Sequence, residues 1–546
     1  VKKPLLILFM TLDVVTQPAA SETLPPIHSR TLEEATRNKV LLINEGFEPR
    51  TLDPQAAQDL SAHHIIMGLI EGLVGCHPTD QSKEVPGMAD HWEHNDDFST
   101  WTFHIGEDRK WSNGDPVTAQ DFVFSYKRIL TPVFGSQHVD RLFVMKGAKD
   151  YFKEKITDFD QVGVKALDDH TLRIELVGPI PYFLSLLQHY SWFPVNPKTI
   201  LKFGTISDRD TKWTLPENYV GNGPFKLKSW RSHDVIEMVR NPLYWDAATV
   251  KLNGINFYLI ENQSTEDRAF QTGQLHKTYG LQLDKVPYYR LKRPEYLRID
   301  PWQGIYFYRL NIEHKPFDNP KVRLALNLAV DREAIVKNIT RQNEQPATGF
   351  TPPGMGDYLA LKVITYDPNK ARQLLAEAGY PGGKGFPKFN ILINTSEVHR
   401  TIAEAIQQMW KEELDINVGI ENQEYKVYLD TQNNINYDIA RCGWIGSFMD
   451  SVAFLDIWTT DNRNNRTHWS DLKYDALIYQ AARTGDAKTR LNLLHQAEEL
   501  FLSKPPVVLI YWFTRGYLIQ PSVKNWNPFA LDNHNYKFID LESINR

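Results

Sequence analysis

The chain predicts an α/β, or mixed α+β, protein built in several lobes, and three observations carry that reading. Its 546 residues exceed what one ordinary core accommodates, and typical domain sizes divide such a length into roughly three to four units. Beyond Asn38, strand-like and helix-like patterns alternate without a low-complexity tract or internal repeat. The third observation is a strand–helix–strand succession. Phe389, Ile391 and Ile393 alternate; Ile402, Ile406, Met409, Trp410 and Leu414 recur at helical spacing; Ile416, Val418 and Ile420 alternate again. A crossover of this length joins parallel strands, and such units place ligands at the carboxyl ends of their strands.

The remaining elements follow from the amino terminus. Lys2 and Lys3 precede an apolar run from Leu5 to Leu12, and Pro18-Ala19-Ala20-Ser21 supplies small residues for cleavage. Residues 1–20 are thus expected to be a secretory signal, too short to span a membrane permanently. Ser21 to Asn38, with Pro25-Pro26, reads as a flexible polar arm. Trp101, Phe103 and Ile105 alternate as in a half-buried strand, and Asn113-Gly114 turns the chain. Thr118 and Asp121 have capping-box spacing for a helix through Phe122 and Tyr126. Gly379 and Pro381 end a helix carrying Leu374 and Leu375, so Gly382-Gly383-Lys384-Gly385 reads as a surface turn rather than a phosphate loop.

Composition narrows the function. A net charge of −6 offers no basic footprint for nucleic acid. The 14 Trp and 24 Tyr suit adaptable recognition surfaces. The two cysteines, Cys76 and Cys442, are expected to be buried free thiols, and neither adjoins the signal as a lipid acceptor would. There is no G-x-S-x-G elbow, H-E-x-x-H motif or P-loop, and no cofactor or metal is expected. His63-His64 and the pair His91 and His94 lack partners at metal-binding spacing and are expected to be solvated.

Four collinear stretches carry a resemblance. They are Lys110 to Phe122 (KWSNGDPVTAQDF), Gly221-Asn222-Gly223-Pro224-Phe225, Arg240-Asn241-Pro242-Leu243-Tyr244-Trp245, and Leu374 to Phe386. Together they resemble the ABC-transporter solute-binding proteins of family 5. Asn394 to His399, and Glu421 to Tyr425 followed by Leu429-Asp430-Thr431, resemble its oligopeptide-binding branch. The resemblance implies a periplasmic-binding-protein type II-like fold with three domains in two hinged lobes. The implied order is domain I at 21–70, 197–298 and 514–546, domain II at 71–196 and domain III at 299–513, with crossovers near 298 and 514. It also implies a monomeric periplasmic receptor that captures a short peptide or peptide-like solute and delivers it to an inner-membrane ABC permease.

Carried over residue by residue, Arg441 and His399 match the carboxylate-binding pair, while Tyr425 and Trp444 match aromatic pocket walls. Three positions depart from the pattern. Ser447 stands where an Asp neutralises the ligand's α-amine, Gln432 stands for an Arg, and Asn327 for a Lys. A hydroxyl cannot compensate a buried ammonium. Either Asp450 reaches the amine after a local loop shift, or the ligand lacks a free α-amine. The competing functions are a ligand sensor, a binder of a non-peptide solute and a peptide or amide hydrolase. The last would need a nucleophile with its base or an open metal site.

Overall fold

The computed structural model describes residues 26–460 and 462–543. The expected signal at 1–20 lies outside the described residues.

Two large cores build the first lobe, with a smaller one around Phe270 and Tyr296. A four-stranded sheet orders Val40–Asn44, Gly254–Tyr258, Val235–Arg240 and Phe225–Arg231, the first pair parallel and the rest antiparallel. The Gly221-Asn222-Gly223 stretch explains itself here. A Cβ on Gly221 would lie 2.1 Å from the Leu69 carbonyl oxygen, so only glycine lets this segment press against the end of helix Leu60–Leu69. Asn222 exchanges hydrogen bonds of 2.9 and 3.0 Å with the Glu71 backbone. Tyr244 and Trp245 both donate to the buried Glu71 carboxylate, at 2.6 and 2.8 Å. Two segments that look unrelated in sequence therefore meet on one residue, Glu71.

The second core surrounds an antiparallel sheet of Ala89–His94, Thr100–Ile105, Thr171–Glu175 and Val164–Ala166. Trp101, Phe103 and Ile105 point inward as their alternation predicts. Gly114 takes the turn at φ +95°. Helix Ala119–Leu130 opens on the Thr118–Asp121 capping box, and Asp121 also accepts the Trp111 indole N–H at 3.0 Å.

The second lobe is a six-stranded mixed sheet ordered Gln345–Pro346, Val507–Leu518, Leu297–Leu310, Ile439–Ile445, Phe389–Asn394 and Val418–Gln423. Phe389–Asn394 runs parallel to both of its neighbours, and helix Glu397–Leu414 makes the predicted crossover to Val418–Gln423. Each face of this sheet carries its own core, one around Trp410 and one around Phe350, Trp458 and Phe501. The lobes share two long antiparallel strands, Leu297–Leu310 and Val507–Leu518, paired from Leu297↔Leu518 to Arg309↔Val507. Their register slips between Pro301 and Ile305, between the two lobes.

Two expectations are corrected. The arm expected to be flexible contains helix Arg30–Arg37, capped by Ser29, with Leu32 and Thr36 buried one turn apart. A short amphipathic stripe docks it, a signal outweighed in the sequence by its polarity and Pro25-Pro26. His63 and His64 are buried rather than solvated. Their helix buries side chains on nearly every side, and each ring finds a partner: Asn533 at 2.6 Å for His63, Glu45 at 2.7 Å for His64. Cys76 and Cys442 are free and buried.

Arg128 is fully buried and bound by both Asp53 carboxylate oxygens, at 3.0 and 2.6 Å. Asp53→Ala should cost about 3–5 kcal/mol, because it strands the guanidinium; the fall in denaturant midpoint at unchanged m-value measures it. Burial holds His63 and His276 down to about 3 and His138 to about 4. Folded values below the ordinary one mean stability that is complete above pH ~6.5 and lost as pH falls through the window below it. Unfolding free energy should decline from pH 7 to 5. His276→Gln should lower that slope by up to about 1.4 kcal/mol per pH unit, one proton's share.

Candidate binding site

The site lies where parallel strands put ligands, beyond the carboxyl ends of Phe389–Asn394 and Ile439–Ile445. Alternation along Ile439–Ile445 sends its side chains to opposite faces of the sheet. Arg441 faces the Trp410 core, pairing with Tyr308 and flanked by Tyr306, whereas Trp444 faces the other core opposite Ile305. The two predicted site residues are therefore on different sides of one strand.

On the first side, the Arg441 guanidinium stands 4.8 Å above the Tyr306 ring centroid. Its Nη1 makes a long contact of 3.4 Å with Asn394 Oδ1, its buried Nε has no hydrogen-bond partner, and it forms no ion pair among the described residues. His399 sits in the first turn of helix Glu397–Leu414, Nδ1 at 3.2 Å from the Tyr306 hydroxyl. Burial first, and the Arg441 charge second, push His399 down to about 3. At neutral pH the ring is uncharged, so Arg441 supplies the charge and His399 a hydrogen bond. An uncompensated, largely dehydrated guanidinium beside a helix amino terminus is suited to a carboxylate.

On the second side lies a cavity of about 1060 Å³ between the lobes. Residues 136–153, Tyr182 and Leu186 form one wall; Trp444, Ser447 and residues 452–464 form the other. The Trp444 indole is held by the Ala453 carbonyl at 2.7 Å. Beside the cavity the lobes touch: Tyr182 and Phe448 stack at 5.5 Å and 7°, and the Met449 N–H donates to Ser185 Oγ at 3.0 Å.

The other predicted residues have different surroundings. Asp450 is bound by both Arg490 terminal nitrogens, at 2.8 and 2.7 Å, so its charge is already compensated, and Arg490 lies 4.9 Å over Tyr182. Gln432 is buried and donates to the Arg441 carbonyl at 2.7 Å, holding that strand's backbone. Asn327 is fully enclosed and stitches helix Pro320–Leu328 to strand Val507–Leu518, through the Val507 carbonyl at 2.6 Å and the Leu509 N–H at 3.0 Å. Tyr425 is 56% exposed and stacks toward Tyr428. Sequence reasoning missed Tyr306, Asn394 and Tyr182; Tyr306 could have been found only as the aromatic opposite Gly443 in a strand pairing that no local pattern reveals.

Two lobes joined by paired strands, a large cavity between them and charged side chains held ready at strand ends define a solute-binding receptor architecture. Comparison places it further. Residues 83–466 match the bacterial extracellular solute-binding proteins, family 5 (middle region), and the chain belongs to that family. It is 35% identical over 498 residues to the periplasmic oligopeptide-binding protein OppA of Salmonella typhimurium, covering 89% of each chain. Among solved structures it is similar to the Escherichia coli murein tripeptide binding protein MppA, with TM-score 0.77, 31% identity, and 92% and 98% of the two chains covered. Haemophilus influenzae OppA in complex with RPPGFSPFR gives TM-score 0.73 at 32% identity, covering 92% and 99%.

The placement of Asn327 predicts that Asn327→Ala destabilises by about 1–3 kcal/mol, since it leaves buried backbone groups unpaired. Chemical denaturation checks the loss, and ligand affinity of the folded fraction should be unchanged.

Proposed function

We propose that this chain is the periplasmic substrate-binding receptor of an ABC importer, capturing short peptides or peptide-like solutes and handing them unaltered to a membrane permease. The observation that carries the reading is the cavity of about 1060 Å³ whose walls come from both lobes. Ligand bound there touches both walls at once, so it favours the closed arrangement over the open one and can drive closure. The strands Leu297–Leu310 and Val507–Leu518 are the hinge, with bending at the irregular step between Pro301 and Ile305. In this reading domain I comprises 21–70, 197–298 and 514–546, domain II 71–196 and domain III 299–513.

Arg441, with His399, receives a ligand carboxylate. Trp444 and Ser447 line the side-chain space, and backbone groups of the strands supply affinity that does not depend on ligand sequence. The names of the relatives, which bind oligopeptides and a murein tripeptide, support the same reading. Among the described residues no helix is long and apolar enough to cross a membrane.

Equilibrium dialysis of the purified protein against a mixture of tri- to pentapeptides, read by mass spectrometry, tests this. Peptides should be retained without cleavage; retention of none, or release of fragments, overturns the reading. Arg441→Met should weaken peptides with a free carboxylate about 10- to 100-fold, the worth of a hydrogen bond to a charged group. Their carboxamide forms should be little affected, as titration calorimetry on matched pairs will show.

A further inference from the structure

The interlobe cavity is lined by a half-buried carboxyl that pairs with no cation among the described residues. Asp456 opens the turn Asp456–Trp458 on the second-lobe wall, half-buried and lining the cavity. Its backbone carbonyl is used, accepting from Thr459 Oγ1 at 2.8 Å and from Asn462 Nδ2 at 3.1 Å. Its carboxylate, by contrast, makes no ion pair and no side-chain hydrogen bond among the described residues; only the Ile457 N–H supports it. The charges that act on it are those of Asp140, on the facing wall of the cavity, and Asp450. Asp450 is already neutralised by Arg490.

The cations of the cavity do not fill the gap. Lys149, Lys153 and Arg463 line it but are exposed to solvent, where their charge is screened. Arg141 lies on the far wall, where its charge acts on the adjacent Asp140 and on His63, His138 and His189 rather than on Asp456. The Tyr182 hydroxyl stays neutral, raised by burial and by the carboxylates of Asp450 and Asp456.

We propose that Asp456 anchors a cationic group of the bound solute, a primary ammonium such as a peptide α-amine, with Asp140 facing it from the first lobe. An unpaired, half-buried carboxylate in a closing cavity is costly, and an ammonium beside Asp456 removes that cost, with the exposed Asp140 adding attraction from the facing wall. The same contact links the lobes, so it contributes to closure. This rests on the receptor reading above and identifies one end of its ligand. It also carries a proton signature. Burial and the neighbouring acids hold the empty site's Asp456 up to about 7. Near neutral pH part of the population is therefore protonated; when the ammonium binds, the carboxyl proton leaves to buffer and the ion pair forms.

The test compares the wild-type protein and Asp456→Asn with pools of tri- to pentapeptides, free or N-acetylated at the amino terminus. In the wild type, free-amine peptides should be retained over their acetylated forms. Calorimetry at pH 7 in two buffers of different ionisation enthalpy should show a fraction of a proton released. In Asp456→Asn the free-amine peptides should weaken about tenfold or more, the acetylated forms should be unchanged, and proton release should vanish. Asp140→Asn, a milder change on an exposed residue of the other lobe, should shift the preference in the same direction. An unchanged preference and unchanged proton release in both variants overturn the proposal. Retention of neither pool by the wild type instead overturns the receptor reading, so the two failures are distinguishable.

Discussion

Everything about the site depends on one pairing, that of strands Leu297–Leu310 and Val507–Leu518. Backbone hydrogen bonds are obligatory for buried strands, so these two segments cannot separate without leaving polar groups unpaired. At one end Tyr517 and Leu518 pack among first-lobe cores; at the other Tyr306, Phe307 and Tyr308 pack in second-lobe cores. The lobes are thus joined by a link that can bend but resists parting. The register slip after Pro301 marks where regular pairing already gives way.

The same strands organise recognition. Tyr306 belongs to the first of them and contacts both Arg441 and His399, so the strand that joins the lobes also positions the proposed carboxylate-binding pair. Gln432 and Asn327, two positions that depart from the family pattern, hold backbone. Gln432 secures the Arg441 carbonyl, and Asn327 secures strand Val507–Leu518. The charges of the site are divided, with Arg441 on one side of the sheet and Asp456, among other charged side chains, lining the cavity on the other.

Much of the fold was legible locally. The crossover from Phe389 to Gln423 follows from apolar periods of two and 3.6, and the Thr118 cap from side-chain chemistry within four residues. The misreadings were also local in origin. His63 and His64 look solvent-facing because histidine is polar, yet their partners Asn533 and Glu45 arrive from distant segments. The arm before Lys39 looks featureless because a helix of eight residues carries only one apolar stripe, which counts once a docking surface exists.

The sequence by itself determined the family, the succession of elements and the residue types at the strand ends, because periodicity and short motifs are properties of neighbours in the chain. Tertiary structure decided which of those residues are free to act. Asp450 and Asp456 are six positions apart and chemically identical; one is held in a bidentate pair by Arg490, while the other lines the cavity without an ion-pair partner among the described residues. No pattern within the chain distinguishes them. The distinction comes from which distant side chains the fold delivers, and a carboxylate's role depends on the charge around it.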